Sequence, residues 1–146
     1  MRGELLEQAA DVEKKFVLLL GAFPDDKLKW RPAPGVRSVS EVAMHVASDN
    51  VLLPAKGLTP PPIKQDSEKT VTQKKQVLDL TRSSFQYFTK ALENSTDADM
   101  NQQVDFFGTK LTRRAAAIGL ITHMSEHLGQ LIAYARMNGI VPPWSK

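Results

Sequence analysis

Apolar residues recur at steps of three and four along most of the chain, which is the period of an amphipathic α-helix. In the first segment these positions are Leu5, Ala9, Val12, Phe16, Leu19 and Phe23. Charged residues occupy the other faces of this segment, and Pro24 is predicted to end the helix. The following residues 30–35 contain two prolines and a glycine, so we predict a loop there.

A second helix is predicted to begin after Ser38. Glu41 follows three residues later, which is the spacing of a capping box at a helix N-terminus. The apolar positions on one side of this helix are Val39, Val42, Ala43, Val46 and Leu53. We expect the helix to end at Pro54, because residues 54–66 hold four prolines and a glycine and are predicted to be a connection.

Two longer helices are predicted in the second half of the chain. The third covers residues 67–94, because its apolar positions are spaced by seven, as helix packing in bundles requires. These positions are Val71, Leu78, Phe85 and Leu92. Residues 94–108 are predicted to be a loop with a short turn, and the fourth helix covers residues 109–138, with Gly139 as its C-cap.

Four amphipathic helices with two long connections predict an all-α fold, a four-helix bundle. The length of 146 residues suits one domain that spans residues 1–146 and buries a full apolar core. No alternating pattern typical of a β-strand competes with this prediction.

Composition and charge exclude several classes of function. The chain has no cysteine, so disulfides, thiolate metal ligands and a cysteine nucleophile are excluded. The net charge is only +3, and Lys and Arg are scattered among Asp and Glu, so we expect no nucleic-acid partner. The longest apolar run, residues 16–23, is far shorter than the ~20 residues of a membrane span, and acidic residues precede it. We therefore expect a cytoplasmic protein with no membrane partner.

The three histidines of the chain carry the main chemical prediction. His123 and His127 are four residues apart in the fourth helix, so their rings emerge only about 40° apart around its axis. His45 lies at the edge of the apolar stripe of the second helix, which a bundle can place opposite that pair. Three nitrogen ligands with an open position for water or substrate are typical of catalytic zinc, and nickel, cobalt or iron accept the same ligands. We predict one divalent metal site here, with hydrogen-bonded core histidines as the alternative.

Two polar residues are candidates for catalytic roles beside the histidines. Asp49 follows His45 by one helical turn, so it can ligate the metal or accept the N–H of an imidazole. Gln130 follows His127 by three residues and can hold a metal-bound water or a substrate. The alternatives are a solvated carboxylate for Asp49 and simple packing for Gln130.

Residues 123–127 also fit the H-x-x-E-H motif of inverted zincins, in which the glutamate is the general base of a peptidase. Those enzymes take a third ligand from a downstream carboxylate, whereas the nineteen residues after His127 contain neither Asp nor Glu. Glu126 also points about 100° away from His127 around the helix. We therefore do not expect a peptidase.

Two segments resemble proteins of the DinB/YfiT-like family, and the resemblance covers nearly the whole chain. Residues 30–45, WRPAPGVRSVSEVAMH, are similar to the start of that family's second helix. Residues 123–131, HMSEHLGQL, are similar to its closing signature, which continues through Tyr134, Arg136, Gly139, Pro142 and Pro143. The resemblance implies a four-helix bundle, often a homodimer, that binds a metal through His45, His123 and His127.

The activities that the resemblance implies include thiol-dependent isomerases and S-transferases that use glutathione, mycothiol or bacillithiol. Our first hypothesis is therefore a zinc- or nickel-dependent transferase or hydrolase that acts on a small molecule. The metal would lower the pKa of a low-molecular-weight thiol cosubstrate. Arg37, Lys56 and Arg136 are candidates to bind an anionic cosubstrate, and solvated or structurally paired charges are the alternative.

Two non-enzymatic hypotheses stay open beside this one. In the first, the chain is a metal-binding stress-response module, in which Asp49 closes the coordination shell as a fourth protein ligand. In the second, the chain is an interaction module that forms a homodimer through an apolar helix face, and the metal is incidental.

Overall fold

Six α-helices and one β-hairpin are present in residues 2–55, 57–64 and 66–145, which the computed structural model describes. In chain order the elements are α1 (Arg2–Ala22), α2 (Val39–Asn50), α3 (Ser67–Thr70), α4 (Lys74–Glu93), α5 (Asp97–Asn101), β1 (Gln103–Phe106), β2 (Thr109–Thr112) and α6 (Arg113–Met137). Short 3₁₀ turns follow α1 and α6, at Asp25–Lys27 and Pro143–Ser145. The protein is mostly helical, as the sequence predicts, and no helix among the described residues is long and apolar enough to cross a membrane.

The four long helices pack around a common apolar core. Helix α1 contacts α4 and α6, and α2 contacts the same two helices. The rings of Phe16 on α1 and Phe85 on α4 meet in this core, with centroids 5.6 Å apart. Because α2 lies against α6, the fold places His45 next to the helix that carries His123 and His127.

The predicted capping box at the start of α2 is confirmed. The Ser38 hydroxyl accepts a hydrogen bond from the backbone N–H of Glu41, and the Glu41 carboxylate accepts one from the backbone N–H of Ser38 at 2.7 Å. Arg31 donates to the same carboxylate at 2.9 Å. The helix ends at Asn50, four residues before the end that was predicted at Pro54.

The prediction of one continuous helix over residues 67–94 is wrong. Residues 71–73 are not helical and separate α3 from α4, with Val71 extended at φ −98° and ψ 100°. Val71 lies between two threonines, and β-branched residues are poor helix formers. Val71 is buried although it is not helical, so the seven-residue spacing of apolar positions continues across the break. The break turns α3 onto α2, where it reaches the histidines.

The expected absence of strands is also wrong, because residues 103–112 form an antiparallel hairpin. Phe106 pairs with Thr109, which leaves Phe107 and Gly108 as a two-residue turn. Both turn residues have positive φ, 53° for Phe107 and 77° for Gly108, as a type I′ turn requires. Helix α6 therefore begins at Arg113 and not at residue 109.

The predicted C-cap of the last helix is confirmed. Gly139 adopts φ 70°, and its N–H donates to the carbonyl of Arg136 at 3.1 Å. The next N–H, of Ile140, donates to the carbonyl of Ala135 at 2.8 Å, which completes a Schellman motif. Glycine suits this position because it adopts a left-handed conformation without a Cβ clash.

Arg113, the first residue of α6, joins three segments of the chain. Its side chain is buried and donates to the Ser95 hydroxyl at 2.9 Å and to the carbonyl of Ala91 at 3.2 Å. It also donates to the carbonyl of Pro54, which follows α2. The end of α2, the end of α4 and the start of α6 are thereby held together by one guanidinium.

Candidate metal centre

The three histidines of the sequence converge at the contact between α2 and α6. His45 comes from α2, and His123 and His127 come from adjacent turns of α6. One nitrogen from each ring lies within 4.8 Å of the corresponding nitrogens of the other two. The side chains of His45 and His123 are 20% and 23% exposed, so the cluster is accessible from solvent.

The orientation of His45 is set by the carboxylate of Glu68, a residue that was not among the predicted site residues. Glu68 on α3 contacts the Nδ1 atom of His45 through Oε1, at 3.0 Å. Arg37 donates to the same carboxylate through Nε, at 2.8 Å. Because an ionised carboxylate only accepts hydrogen bonds, Nδ1 of His45 is the donor and its Nε2 faces the other histidines.

The orientation of His127 is set by polar residues of its own helix. Its Nδ1 contacts Oε1 of Gln130 at 2.7 Å. The Gln130 amide donates to the Tyr134 hydroxyl at 2.8 Å, and that hydroxyl donates to the backbone carbonyl of Arg37 at 2.9 Å. Gln130 therefore contacts both an imidazole and a phenol hydroxyl, and its expected role in holding a metal-bound water or a substrate stays a prediction.

His123 differs from the other two histidines because its Nδ1 is buried and has no hydrogen-bond partner among the described residues. Its Nε2 lies 3.0 Å from Nε2 of His45 and 3.4 Å from Oδ2 of Asp49. Oδ2 of Asp49 is also 3.9 Å from Nε2 of His45, so this carboxylate borders the point where the nitrogens converge.

The environment favours the neutral form of two of the rings. Burial lowers the pKa of His123 below its ordinary value of 6.5, and His127 and His45 lower it further, while Asp49 partly opposes them. Burial also lowers the pKa of His127, and the hydrogen bond to Gln130 partly opposes this effect. Neutral imidazole is the form that binds a metal, so neither ring has to lose a proton at neutral pH before it can act as a ligand.

The donor set fits a divalent transition-metal ion. Three imidazole nitrogens are ligands that zinc and nickel accept, and two of the rings have the orienting partner at Nδ1 that metal-binding histidines usually have. Ligand nitrogens of a tetrahedral zinc ion lie about 3.4 Å apart, given Zn–N bonds of ~2.0–2.1 Å. The Nε2 atoms of His45 and His123 are 3.0 Å apart, close to this value, and all three ligand nitrogens lie within 4.8 Å of one another.

Of the three cations that were candidates for anion binding, the two that the structure describes, Arg37 and Arg136, are not brought together. Arg37 lies at the site, but it is paired with Glu68. Arg136 is exposed on α6, nine residues beyond His127 and therefore on the opposite side of the helix. Lys56 lies outside the residues that the structure describes. Glu126, the general base of the excluded peptidase motif, is exposed.

Comparison with known proteins identifies the family. The sequence model of the DinB superfamily matches residues 8–131. The chain belongs to the DinB superfamily. A solved structure, a DinB-like protein from Bacillus cereus, is similar to it at 25% sequence identity and a TM-score of 0.73, over 95% of this chain and 93% of that chain. Curated protein sequences give no match.

In this DinB chain, the residues that sequence reasoning missed are those that orient the imidazoles. Glu68 is separated from His45 by 23 residues and lies in a segment predicted as part of a long bundle helix, so no spacing rule connects the two. Tyr134 follows Gln130 by four residues, which places the two side chains on the same helix face. That spacing is the one signal from which its contact with Gln130 was predictable.

Proposed function

We propose that the protein binds one divalent metal ion, zinc or nickel, through His45, His123 and His127. The observation that carries the proposal is the convergence of one nitrogen from each ring within 4.8 Å. The lowered pKa values of His123 and His127 support it, because both rings are neutral when an ion arrives. Membership of the DinB superfamily supports it as well.

We propose a four-helix bundle of the DinB/YfiT-like type as the finer description of the fold, within a single domain of residues 1–146. The contacts of α1 and α2 with both α4 and α6 support this arrangement. The hairpin of β1 and β2 is an addition at the start of α6. The expected homodimer is part of the same proposal and rests on the family resemblance.

The reaction that we propose is a transfer, isomerisation or hydrolysis on a small molecule, with a low-molecular-weight thiol as cosubstrate in the first two cases. When bound, the ion would act as a Lewis acid and lower the pKa of a thiol or a water at its open position. Asp49 is placed to accept the proton released there, because its Oδ2 lies 3.4 Å from Nε2 of His123. The partial exposure of the histidines leaves a route for a small substrate.

A second function, a non-catalytic metal-binding module, is favoured by the same carboxylate. If Asp49 enters the coordination shell, three histidines and one carboxylate supply the four protein ligands of a closed structural site. Its distances of 3.4 Å and 3.9 Å from the two Nε2 atoms are compatible with that role as well. The two functions therefore differ in whether Asp49 is a proton acceptor or a ligand.

The test of metal binding is elemental analysis of the protein purified without a histidine tag. We expect about one zinc or nickel per chain in the wild type and a loss of most of it in His123→Ala. The matched control is Glu126→Ala, because Glu126 lies on the same helix between the two histidines and is exposed. Equal metal content in wild type and His123→Ala would refute the shared site.

A second experiment separates the two functions. The visible spectrum of the cobalt(II)-substituted protein reports the ligand set, so Asp49→Asn changes it strongly only if Asp49 is a ligand. If the spectrum stays the same and turnover with thiols and electrophiles falls, Asp49 is a proton acceptor in an enzyme. Full metal loading with no turnover across a thiol and electrophile panel would instead count against catalysis.

A further inference from the structure

Three consecutive hydrogen bonds connect the His127 ring on α6 to the backbone directly before the N-terminus of α2. They run from Nδ1 of His127 to Gln130 at 2.7 Å, from Gln130 to the Tyr134 hydroxyl at 2.8 Å, and from that hydroxyl to the Arg37 carbonyl at 2.9 Å. Arg37 immediately precedes Ser38, the N-cap of α2. The chain of bonds therefore links the two helices that carry the histidines.

The direction of every bond in this chain follows from its last acceptor. A backbone carbonyl only accepts hydrogen bonds, so the single proton of the Tyr134 hydroxyl points to Arg37. The hydroxyl oxygen then accepts from Gln130, which must present its NH₂ group to Tyr134 and its amide oxygen to His127. Because that amide oxygen only accepts, Nδ1 of His127 carries the ring proton.

A neutral imidazole carries one proton, so a proton at Nδ1 leaves the lone pair at Nε2. We propose that Gln130 and Tyr134 are positioning residues that hold His127 in this single tautomer and aim its Nε2 lone pair at the convergence point of the histidines. The consequence for metal binding rests on the function proposed above. The tautomer itself does not, because the bonds that fix it lie entirely within the protein.

The far end of this chain is rigid, which is what a positioning role requires. Tyr134 is only 4% exposed, and its ring packs edge-to-face against Trp30 with centroids 5.3 Å apart. The carbonyl that it binds belongs to the residue before the Ser38–Glu41 capping box. The Tyr134 hydroxyl therefore has a fixed place and a fixed acceptor, and Gln130 cannot turn its amide without losing two hydrogen bonds.

The test reads the tautomer directly, by long-range proton–nitrogen correlation of the His127 ring in the ¹⁵N-labelled, metal-free protein at about pH 8, where this ring is neutral because its pKa lies below 6.5. We expect Nδ1 of His127 to show the shift of a protonated nitrogen and Nε2 that of an unprotonated one. In Tyr134→Phe the amide of Gln130 is free to turn, so we expect a mixture of the two tautomers and about tenfold weaker zinc binding.

The matched control is Tyr87→Phe. The Tyr87 hydroxyl is another buried phenol oxygen, which accepts from the backbone N–H of Ala55 at 3.1 Å and lies away from the histidines. Its removal lowers stability in the same general way, but it should leave the His127 tautomer and the zinc affinity unchanged. A change in Tyr134→Phe that Tyr87→Phe reproduces would reduce the effect to general destabilisation and overturn the proposal.

A rescue variant separates positioning from packing. Gln130→Glu replaces the amide by a carboxylate that can only accept, so in the Tyr134→Phe background it should restore the single tautomer and most of the zinc affinity. Failure of this rescue, or a wild-type His127 protonated at Nε2, would overturn the proposal. A protonated Nδ1 in a protein that binds no zinc would support the positioning chain and refute the metal site, so the two can fail separately.

Discussion

Phe107 has a backbone conformation that a bulky side chain seldom adopts. Its φ of 53° is left-handed, whereas its ring is 72% exposed and gains little from burial. A non-glycine residue in this region costs on the order of 1 kcal/mol or more. The hairpin therefore holds Phe107 in place through its pairing and through the bond from the Gly108 N–H to the Asp105 carboxylate, 2.9 Å long.

Replacing Phe107 by asparagine should stabilise the protein. Asparagine tolerates the left-handed region and creates the Asn-Gly sequence that type I′ turns prefer, so we expect a gain of about 1 kcal/mol in the free energy of unfolding. Urea unfolding measures the gain, and Gly108→Ala should act in the opposite direction because Gly108 has φ 77°. Unchanged or lower stability of Phe107→Asn would contradict the backbone strain that we infer at Phe107.

Among the charged residues, replacement of Arg113 should lower the free energy of unfolding the most. In Arg113→Met the carbonyls of Ala91 and Pro54 and the Ser95 hydroxyl lose a donor in a buried place, so we expect a loss of about 2–4 kcal/mol in the free energy of unfolding. The control is Arg82→Met on the exposed face of α4, with a change within about 0.5 kcal/mol. Urea midpoints that shift equally in the two variants would show that the hydrogen bonds of Arg113 do not stabilise the protein.

At the same scale, the sequence identified the histidines and missed their partners. His123 and His127 were predictable because their separation of four is a property of one helix, and His45 because it is the only other histidine. Glu68 was not predictable, because its approach to His45 depends on a bend between α3 and α4 that no residue spacing encodes.

At the scale of elements, the start of α2 combines a capping box with an ion pair. Burial alone raises the pKa of Glu41, but the hydrogen bonds from the Ser38 backbone and from Arg31 lower it by more. The net pKa is therefore below the ordinary value of 4.5. The folded state therefore favours the ionised form of the Glu41 carboxylate, and the helix capping that it provides stabilises the folded state by about 1 kcal/mol.

The sign of this shift gives a prediction for acid pH. A lowered pKa stabilises the folded state above pH 4.5, and this contribution is lost as the pH falls below 4.5 and through the lower folded-state pKa. Glu41→Gln should therefore be less stable than wild type at pH 6, and the difference should shrink between pH 4.5 and pH 3. Thermal unfolding at each pH measures it, and a difference that stays constant from pH 6 down to pH 3 would contradict the lowered pKa of Glu41.

Elements with a continuous apolar stripe and a defined end were predictable, and short elements were not. Helix α1 ends at Ala22, before Pro24, and α6 ends at Met137, before Gly139, as their sequences indicate. Strands β1 and β2 have four residues each and a Phe-Gly turn, so they lack both the length and the Asn-Gly signal of a hairpin. Val71 is buried without being helical, so its apolar character falsely extended the helical pattern.

At the scale of the whole molecule, the proposed ion would join two of the four long helices. His45 belongs to α2 and the other two ligands to α6, so binding would add a cross-link that the unfolded chain lacks. A ligand present at 100 times its dissociation constant stabilises the folded state by about 2.7 kcal/mol. For a chain of this size that corresponds to a rise of roughly 10 °C in Tm.

We therefore expect zinc to raise the Tm of the wild type by roughly 10 °C and a chelator to reverse the change. His45→Ala should abolish most of the rise, because only α6 would then contribute ligands, whereas Glu126→Ala should keep it. Differential scanning calorimetry measures the shift. A rise of the same size in His45→Ala would place the stabilising ion somewhere else.

The bend between α3 and α4 also has a consequence for dynamics. Helix α3 has only four residues, too few to persist alone, and Glu68 fastens it to Arg37 and His45. An ion on Nε2 of His45 would make its Nδ1 proton more acidic and its bond to Glu68 stronger. The backbone amides of α3 should then exchange with deuterium more slowly when zinc is present. Hydrogen exchange in α3, which supplies no ligand, would therefore report whether the metal site is filled.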